Sequence, residues 1–303
     1  MKSLAIYILC HNRPDDAKLA ILSALAQTDS NYDLIVSDNS SHDDVERMVQ
    51  QNFPEVQYVR RQPMLPALEH FNRCISEVSS THFCLFHDDD LMAADFVQQV
   101  RLAITAFPEA IAIGSNAFIE TNGQLEARPS FLSRHIHEVI ASDRDLATRY
   151  FGRHQSGIAP FPGYVYRHDM VHSLKFNAQE GKYSDVTWLL RLAALGKIIW
   201  IAKPLMTYRI HGGNDGLVES RRDRLRFLAY LKKHLHSLGT GLLADYRCGF
   251  IYKTISKSAD TAHPARWILA RKFLRRYRWE RYLRAETWRA LLQRALIKKM
   301  ARP

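Results

Sequence analysis

The chain has 303 residues, 47% of them hydrophobic and 24% charged, which is enough apolar material to bury a full core and excludes a disordered chain. No uninterrupted apolar run reaches the roughly 18 residues of a membrane-spanning helix. The net charge of +11 sits almost wholly in residues 260–303, which carry 13 Lys/Arg against 3 acids, whereas the first 259 residues hold 29 against 28.

Apolar residues 4–9 predict a buried strand, and no charged and then apolar export signal is expected before it. After Pro14, the spacing of Leu19, Ile21, Leu22 and Leu25 predicts a helix. A second strand is expected over residues 32–36, ending in Asp38, Asn39, Ser40 and Ser41, a turn cluster that also offers a helix N-cap. Residues 57–60, 83–86 and 111–113 predict further strands, and residues 65–78 and 94–107 predict helices. Strands alternating with helices of this length imply an α/β fold, a mostly parallel sheet covered on both faces.

The middle of the chain is less regular. Thr121, Asn122, Gly123 and Gln124 signal a hairpin or a loop, and residues 163–166 a strand. Residues 183–195 predict a helix with Val186, Leu189, Leu190, Leu192 and Ala193 on its apolar face, Ser184 as N-cap and Gly196 as stop. Residues 197–201 and 205–210 predict two strands on either side of Pro204, and everything beyond Glu219 reads as helix. We therefore expect a catalytic domain over residues 1–215 and a basic, helical region over 216–303. Cys10, Cys74, Cys84 and Cys248 lack metal-binding spacing and read as reduced thiols.

Ligands of open α/β sheets sit beyond the carboxyl ends of the strands. Three polar clusters follow strands here: Cys10 to Arg13, Asp38 to Ser41, and Asp88 to Asp90. They are expected to converge on one crevice. Asp88, Asp89 and Asp90 repel one another and need a cation or many hydrogen bonds to coexist. Hard oxygen ligands suit Mg²⁺ or Mn²⁺, which also bridge nucleotide phosphates. The competing reading of the run is a solvated acidic loop capping the helix near Ala94. Asp185 opens an apolar helix, where the helix dipole favours a carboxylate, and His211 follows a strand.

Taken in order, five segments resemble the family 2 glycosyltransferases of GT-A fold: residues 8–13 (ILCHNR), 34–41 (LIVSDNSS), 86–95 (FHDDDLMAAD), 183–191 (YSDVTWLLR) and 208–214 (YRIHGGN). The resemblance covers about two thirds of the chain. It implies that Asp38 hydrogen-bonds a nucleobase and that Leu9, His11 and Arg13 line the base and ribose pocket. It implies too that Asp88, Asp89 and Asp90 hold Mg²⁺ or Mn²⁺ against the diphosphate, where Asp88 also meets the nucleotide and His211 lies close by. Asp185 matches the catalytic base. Transfer to a hydroxyl needs one proton acceptor and neutralisation of the departing diphosphate, and direct displacement inverts the anomeric carbon. The family implies a nucleotide-sugar donor (UDP by default, with dTDP and GDP sugars open) and a saccharide or lipid-linked acceptor. The role implied is bacterial surface polysaccharide assembly in the cytoplasm, peripheral on the inner face of the cell membrane.

This chain departs from the family pattern in three places. His87 stands where many members have their first acid, which leaves open which two of Asp88, Asp89 and Asp90 form the functional pair. Ser184 replaces the acid that often precedes the base, and Phe71 an arginine before Asn72. The rival readings are a nucleotidyltransferase of the same fold and a noncatalytic nucleotide-sugar binder. Residues 10–14 are not the Gly-rich basic loop the former needs, and Asp185 with His211 speaks against the latter. In the tail, aromatics such as Trp267, Trp279 and Trp288 among Arg and Lys suit an anionic membrane surface, or a helical appendage packed on the body. Nucleic acid is not an expected partner.

Overall fold

The structure, a computed structural model, describes residues 3–126, 129, 133, 135–151, 161–212 and 220–259. In chain order these form β1 (Leu4–Cys10), α1 (Pro14–Leu25), β2 (Asp33–Asp38), α2 (Asp44–Asn52), β3 (Gln57–Arg60), α3 (Ala67–Glu77), β4 (His82–His87), β5 (Leu91–Met92) and α4 (Phe96–Ala106). Then come β6 (Ala112–Thr121), β7 (Gln124–Leu125), β8 (His137–Ile140), α5 (Asp143–Phe151), β9 (Tyr164–Arg167), α6 (His168–Val171), α7 (Ser184–Leu195), β10 (Ile198–Ile210), α8 (Arg221–Lys233) and α9 (Leu235–Ala259).

One ten-stranded sheet runs in the order β3-β2-β1-β4-β9-β6-β10-β5, with β7 on β6 and β8 on β10. The first four strands are parallel, as alternation with helices requires, because a parallel neighbour needs a long crossover. β9 enters antiparallel between β4 and β6, and β6 and β10 pair parallel again, so the sheet is mixed. All seven residues of β1 are buried, the signature of a central strand covered on both faces. Core residues Ile6, Phe86, Phe96, Val100 and Met206 belong to one packed cluster, and Ile8, Ala17, Ile21, Val36 and Val45 to a second.

Several local expectations are corrected. α1 forms, but it buries Ala17, Ala20, Ile21 and Ala24, while Leu19, Leu22 and Leu25 are exposed. Small alanines let the helix approach β1 closely, so the larger leucines mark the outer face. Asp43, not the 38–41 cluster, stands at the N-cap of α2, and Tyr183, not Ser184, at that of α7; neither makes a side-chain cap bond. The segments flanking Pro204 are one strand, since β10 continues through register shifts at Pro204 while staying paired with β6. Asn122 and Gly123 both adopt positive φ (50° and 80°) in a two-residue turn between β6 and β7, the conformation that Asn-Gly favours in hairpins.

The described residues divide into two compact units, one of residues up to 150 and 161–227, the other of residue 151 and 228–259. In the second, Phe151 packs edge-on against Tyr246 at 5.6 Å. The expected boundary at residue 215 and the basic tail from residue 260 lie outside the described residues. No described helix is long and apolar enough to cross a membrane.

Candidate active site

β1, β2 and β4 are adjacent and parallel, so their carboxyl ends deliver three loops to one place. Hydrogen bonds lock these loops together. The backbone N–H of His11 donates to Asp88 Oδ2 at 2.8 Å, and that of Asn12 to Ser40 Oγ at 2.8 Å. Asn12, at φ 56°, turns its side-chain oxygen to accept from Ser41 N–H at 2.9 Å. His11 Nδ1 donates to the Asn39 carbonyl at 2.9 Å, which fixes its tautomer. Asn39 in turn makes paired 2.8 Å bonds to the backbone of Leu65. The expected convergence of the three polar clusters is thus realised in the structure.

The acidic run is no solvated cap. Asp88 and Asp90 are fully buried and Asp89 is 5% exposed. Arg13 forks across two of them, ion-pairing with Asp88 and with Asp89 Oδ2 at 2.6 Å. Burial still raises the Asp88 carboxyl to about 7 against the pull of Arg13, and burial and the neighbouring Asp89 charge push Asp90 well up. Asp90 Oδ1 accepts the backbone N–H of Arg209 at 3.0 Å, whereas its Oδ2 is buried without a hydrogen-bond partner. A buried, unpartnered carboxylate oxygen is costly and fits a cation ligand. His211 Nε2 lies 3.3 Å from Asp89 Oδ2. The ligand atoms of His87, Asp89 and Asp90 all lie within 4.8 Å of one another.

Asp38 is fully buried and turned into the protein. Its Oδ1 accepts from Ser40 N–H at 2.9 Å, and its Oδ2 from Tyr58 Oη at 2.6 Å and Arg60 Nη1 at 2.8 Å. Arg60 also donates to the carbonyls of Ser40 and His42. Leu9, only 6% exposed, sits in β1 between Ser37 and His87. On the other face of β2, Ser37 Oγ accepts from Arg61 Nε at 2.9 Å and from the Cys74 thiol at 3.3 Å. Its own hydroxyl hydrogen then goes to His70 Nε2 at 2.7 Å.

Asp185 stands in the first turn of α7, its Oδ1 accepting from Val186 N–H at 2.7 Å. The side chain keeps some exposure, yet the surrounding protein desolvates it enough to raise its carboxyl to about 6. Tyr208 lies in the field of both this carboxylate and the acidic run: burial, and then the charges of Asp90, Asp89 and Asp185, push that phenol up to about 12. An aromatic chain holds the two regions in place. His87 packs against Phe71 and Phe161, Phe161 meets Phe176 edge-on at 5.4 Å, and Phe176 stacks on Trp188 at 4.4 Å, one turn after Asp185. Asn72 clamps the backbone of Phe176 with bonds of 2.8 and 3.1 Å.

Sequence reasoning missed Tyr58, Arg60, His87, Tyr208 and Arg209 as parts of this site. The Arg209 side chain reaches Asp16 and Glu120 while its N–H holds Asp90. Its signal was there, an arginine inside the 208–214 segment, but a backbone donor leaves no trace in a sequence. Gly213 and Asn214 of that segment lie outside the described residues.

Crystal structures of S. aureus TarS are similar in architecture. The 1-349 form with UDP-GlcNAc matches at TM-score 0.63 and 12% identity over 89% of this chain and 79% of that one. The 1-349 form with UDP matches at TM-score 0.57 and 11% identity over 84% and 82%. Against a longer TarS structure the score is 0.58 at 12% identity, and this chain spans 48% of that protein. At such identity the likeness is one of fold. No curated protein of matching sequence was found. The profile of glycosyl transferase family 2 matches residues 5–170, more than half of the chain. With the GT-A sheet and the acidic loop at the end of β4 in place, the chain belongs to glycosyl transferase family 2.

Proposed function

We propose that this glycosyltransferase moves a sugar from a nucleoside-diphosphate donor to an acceptor hydroxyl with inversion, in the assembly of a bacterial surface polysaccharide. The observation that carries the reading is the buried Asp88–Asp90 run at the carboxyl end of a central strand, locked to the loops after β1 and β2. Asp89 and Asp90, with His211, would hold a divalent cation, Mg²⁺ or Mn²⁺, which when bound neutralises charge on the departing diphosphate. Asp88 holds Arg13 and the His11 backbone, which shapes the loop that meets the nucleotide. UDP is the donor base we expect, since a relative in fold was crystallised with UDP-GlcNAc and UDP. Asp185 accepts the proton of the acceptor hydroxyl as its oxygen bonds to the anomeric carbon and the carbon–oxygen bond to the diphosphate breaks. A carboxyl near 6 is ionised at neutral pH yet basic enough to take that proton. The acceptor is a saccharide or lipid-linked saccharide at the cytoplasmic membrane face, reached through the basic tail.

The test is a melting-temperature screen of nucleoside diphosphates with and without Mn²⁺, since a ligand that binds only the native state raises the midpoint. UDP with Mn²⁺ should stabilise the wild type, and Asp89→Ala should abolish the metal-dependent part. Stabilisation by nucleotide that is indifferent to Mn²⁺ and EDTA would refute the metal-dependent reading.

A further inference from the structure

The acidic loop does not offer three equivalent carboxylates. Both oxygens of Asp88 are already taken, one by Arg13 and the other by the His11 N–H. Asp89 shares its Oδ2 with Arg13, and the ligand atoms of Asp89, Asp90 and His87 lie within 4.8 Å of one another, with Asp90 carrying the buried oxygen without a hydrogen-bond partner. His87 is the last residue of β4, at the same strand end, and its ring packs against Phe71 at 6.0 Å and Phe161 at 5.9 Å between centroids, two rings that stack on one another at 5.9 Å.

We propose that His87 supplies a nitrogen ligand to the divalent cation, so that the cation is held by His87, Asp89, Asp90 and His211 rather than by oxygens alone. This rests on the metal-dependent reading above. It follows that the site selects its metal. Mg²⁺ favours an octahedron of oxygens and keeps its water, while imidazole binds Mn²⁺ and the later divalent ions better. With two histidines on the cation, Mn²⁺ binds more tightly than Mg²⁺, and the side chain at position 87 sets much of the difference.

The experiment uses the full-length protein with Mn²⁺ alone and electron spin-echo spectroscopy, which detects nitrogen bonded to the ion. Protein carrying ¹⁵N-histidine identifies the histidine signals. His211→Ala should leave one histidine nitrogen on Mn²⁺, and His87→Asp should leave the other. Calorimetry should show the Mn²⁺-to-Mg²⁺ affinity ratio falling by roughly tenfold or more in His87→Asp, on the usual scale for groups that tune a metal site. Circular dichroism melts confirm that each variant is folded, and if His87→Asp is not, the His211→Ala spectrum decides alone. Mn²⁺ bound with no histidine nitrogen in His211→Ala would overturn the His87 assignment and leave the metal-dependent reading standing. No Mn²⁺ binding by the wild type, with or without UDP, would overturn both.

Discussion

Arg13 occupies the position of a counter-cation, its guanidinium shared between two buried carboxylates that no other described arginine or lysine side chain pairs with. Replacing it by Met removes this shared ion pair from Asp88 and Asp89, which should cost about 1–3 kcal/mol after allowing for the partial exposure of Arg13. Mn²⁺ should then restore the melting temperature more in Arg13→Met than in the wild type, and equal shifts would show that cation and guanidinium do not share these oxygens. Asp185 calls for kinetics. Asp185→Asn keeps the shape and removes proton acceptance, so turnover should fall roughly 10²–10⁴-fold with donor affinity little changed. A base must be ionised to act, so in the wild type kcat/KM should rise with pH through about 6 and level off above it. A flat profile across that window would exclude Asp185 as the titrating base. These residues were legible because acids in a run, or at the head of an apolar helix, are conspicuous. His87 was not, since a histidine gains meaning only from what surrounds it in space.

Among the elements, β2 and α3 are joined by a network that the sequence hardly announces. His70, Ser37, Cys74 and Arg61 meet there, with Arg61 bound to Glu77. Burial, and then the Arg61 charge, depress His70 to about 4, so it is neutral in the folded protein at neutral pH. An unfolded histidine titrates near 6.5, so between the two values the unfolded chain binds more protons. Stability from this group is complete above about 6.5 and is lost as pH falls toward 4, a contribution on the order of 3 kcal/mol. His70→Gln, which keeps a neutral acceptor, should flatten the acid side of the stability curve relative to wild type. Identical slopes from pH 4 to 6.5 would show that His70 does not drive the acid loss. Element by element, periodicity located most of the longer strands and helices, because buried parallel strands read as continuous apolar runs, but it gave no sign of β5, β8, α5 or α6. It misjudged the buried face of α1, where packing distance outweighed hydrophobicity, and it split β10 at Pro204, where a bulge tolerates a proline that a regular central ladder would not.

For the whole molecule, charge separates the body from the tail. Ending the chain before Asp260 would remove 13 Lys/Arg and 3 acids, taking +10 of the +11 net charge. Each basic residue near an anionic bilayer contributes up to about 1 kcal/mol, so a few engaged side chains give salt-sensitive attachment. The truncated protein should lose co-sedimentation with phosphatidylserine vesicles and keep transfer to a soluble acceptor, since Asp185, the acidic run and His211 all precede residue 260. A lower melting temperature with vesicle binding unchanged would instead mark the tail as a packed appendage. The sheet order could not be read from the sequence, because an antiparallel β9 between β4 and β6 depends on contacts far apart along the chain.

β10 carries a historical constraint as well as a mechanical one. Its shifts of register near Pro204 set the phase between Ile198–Ile201, laid against β8 and β6, and the stretch in which Arg209 holds Asp90 and Tyr208 meets the field of both acid groups. Loss or gain of one residue at the bulge would move that stretch by about 3.3 Å and turn each side chain to the opposite face. Both flanking segments would survive letter for letter and the site would still be lost. Descendants of this chain can therefore vary many letters here more freely than they can vary the count of residues between them.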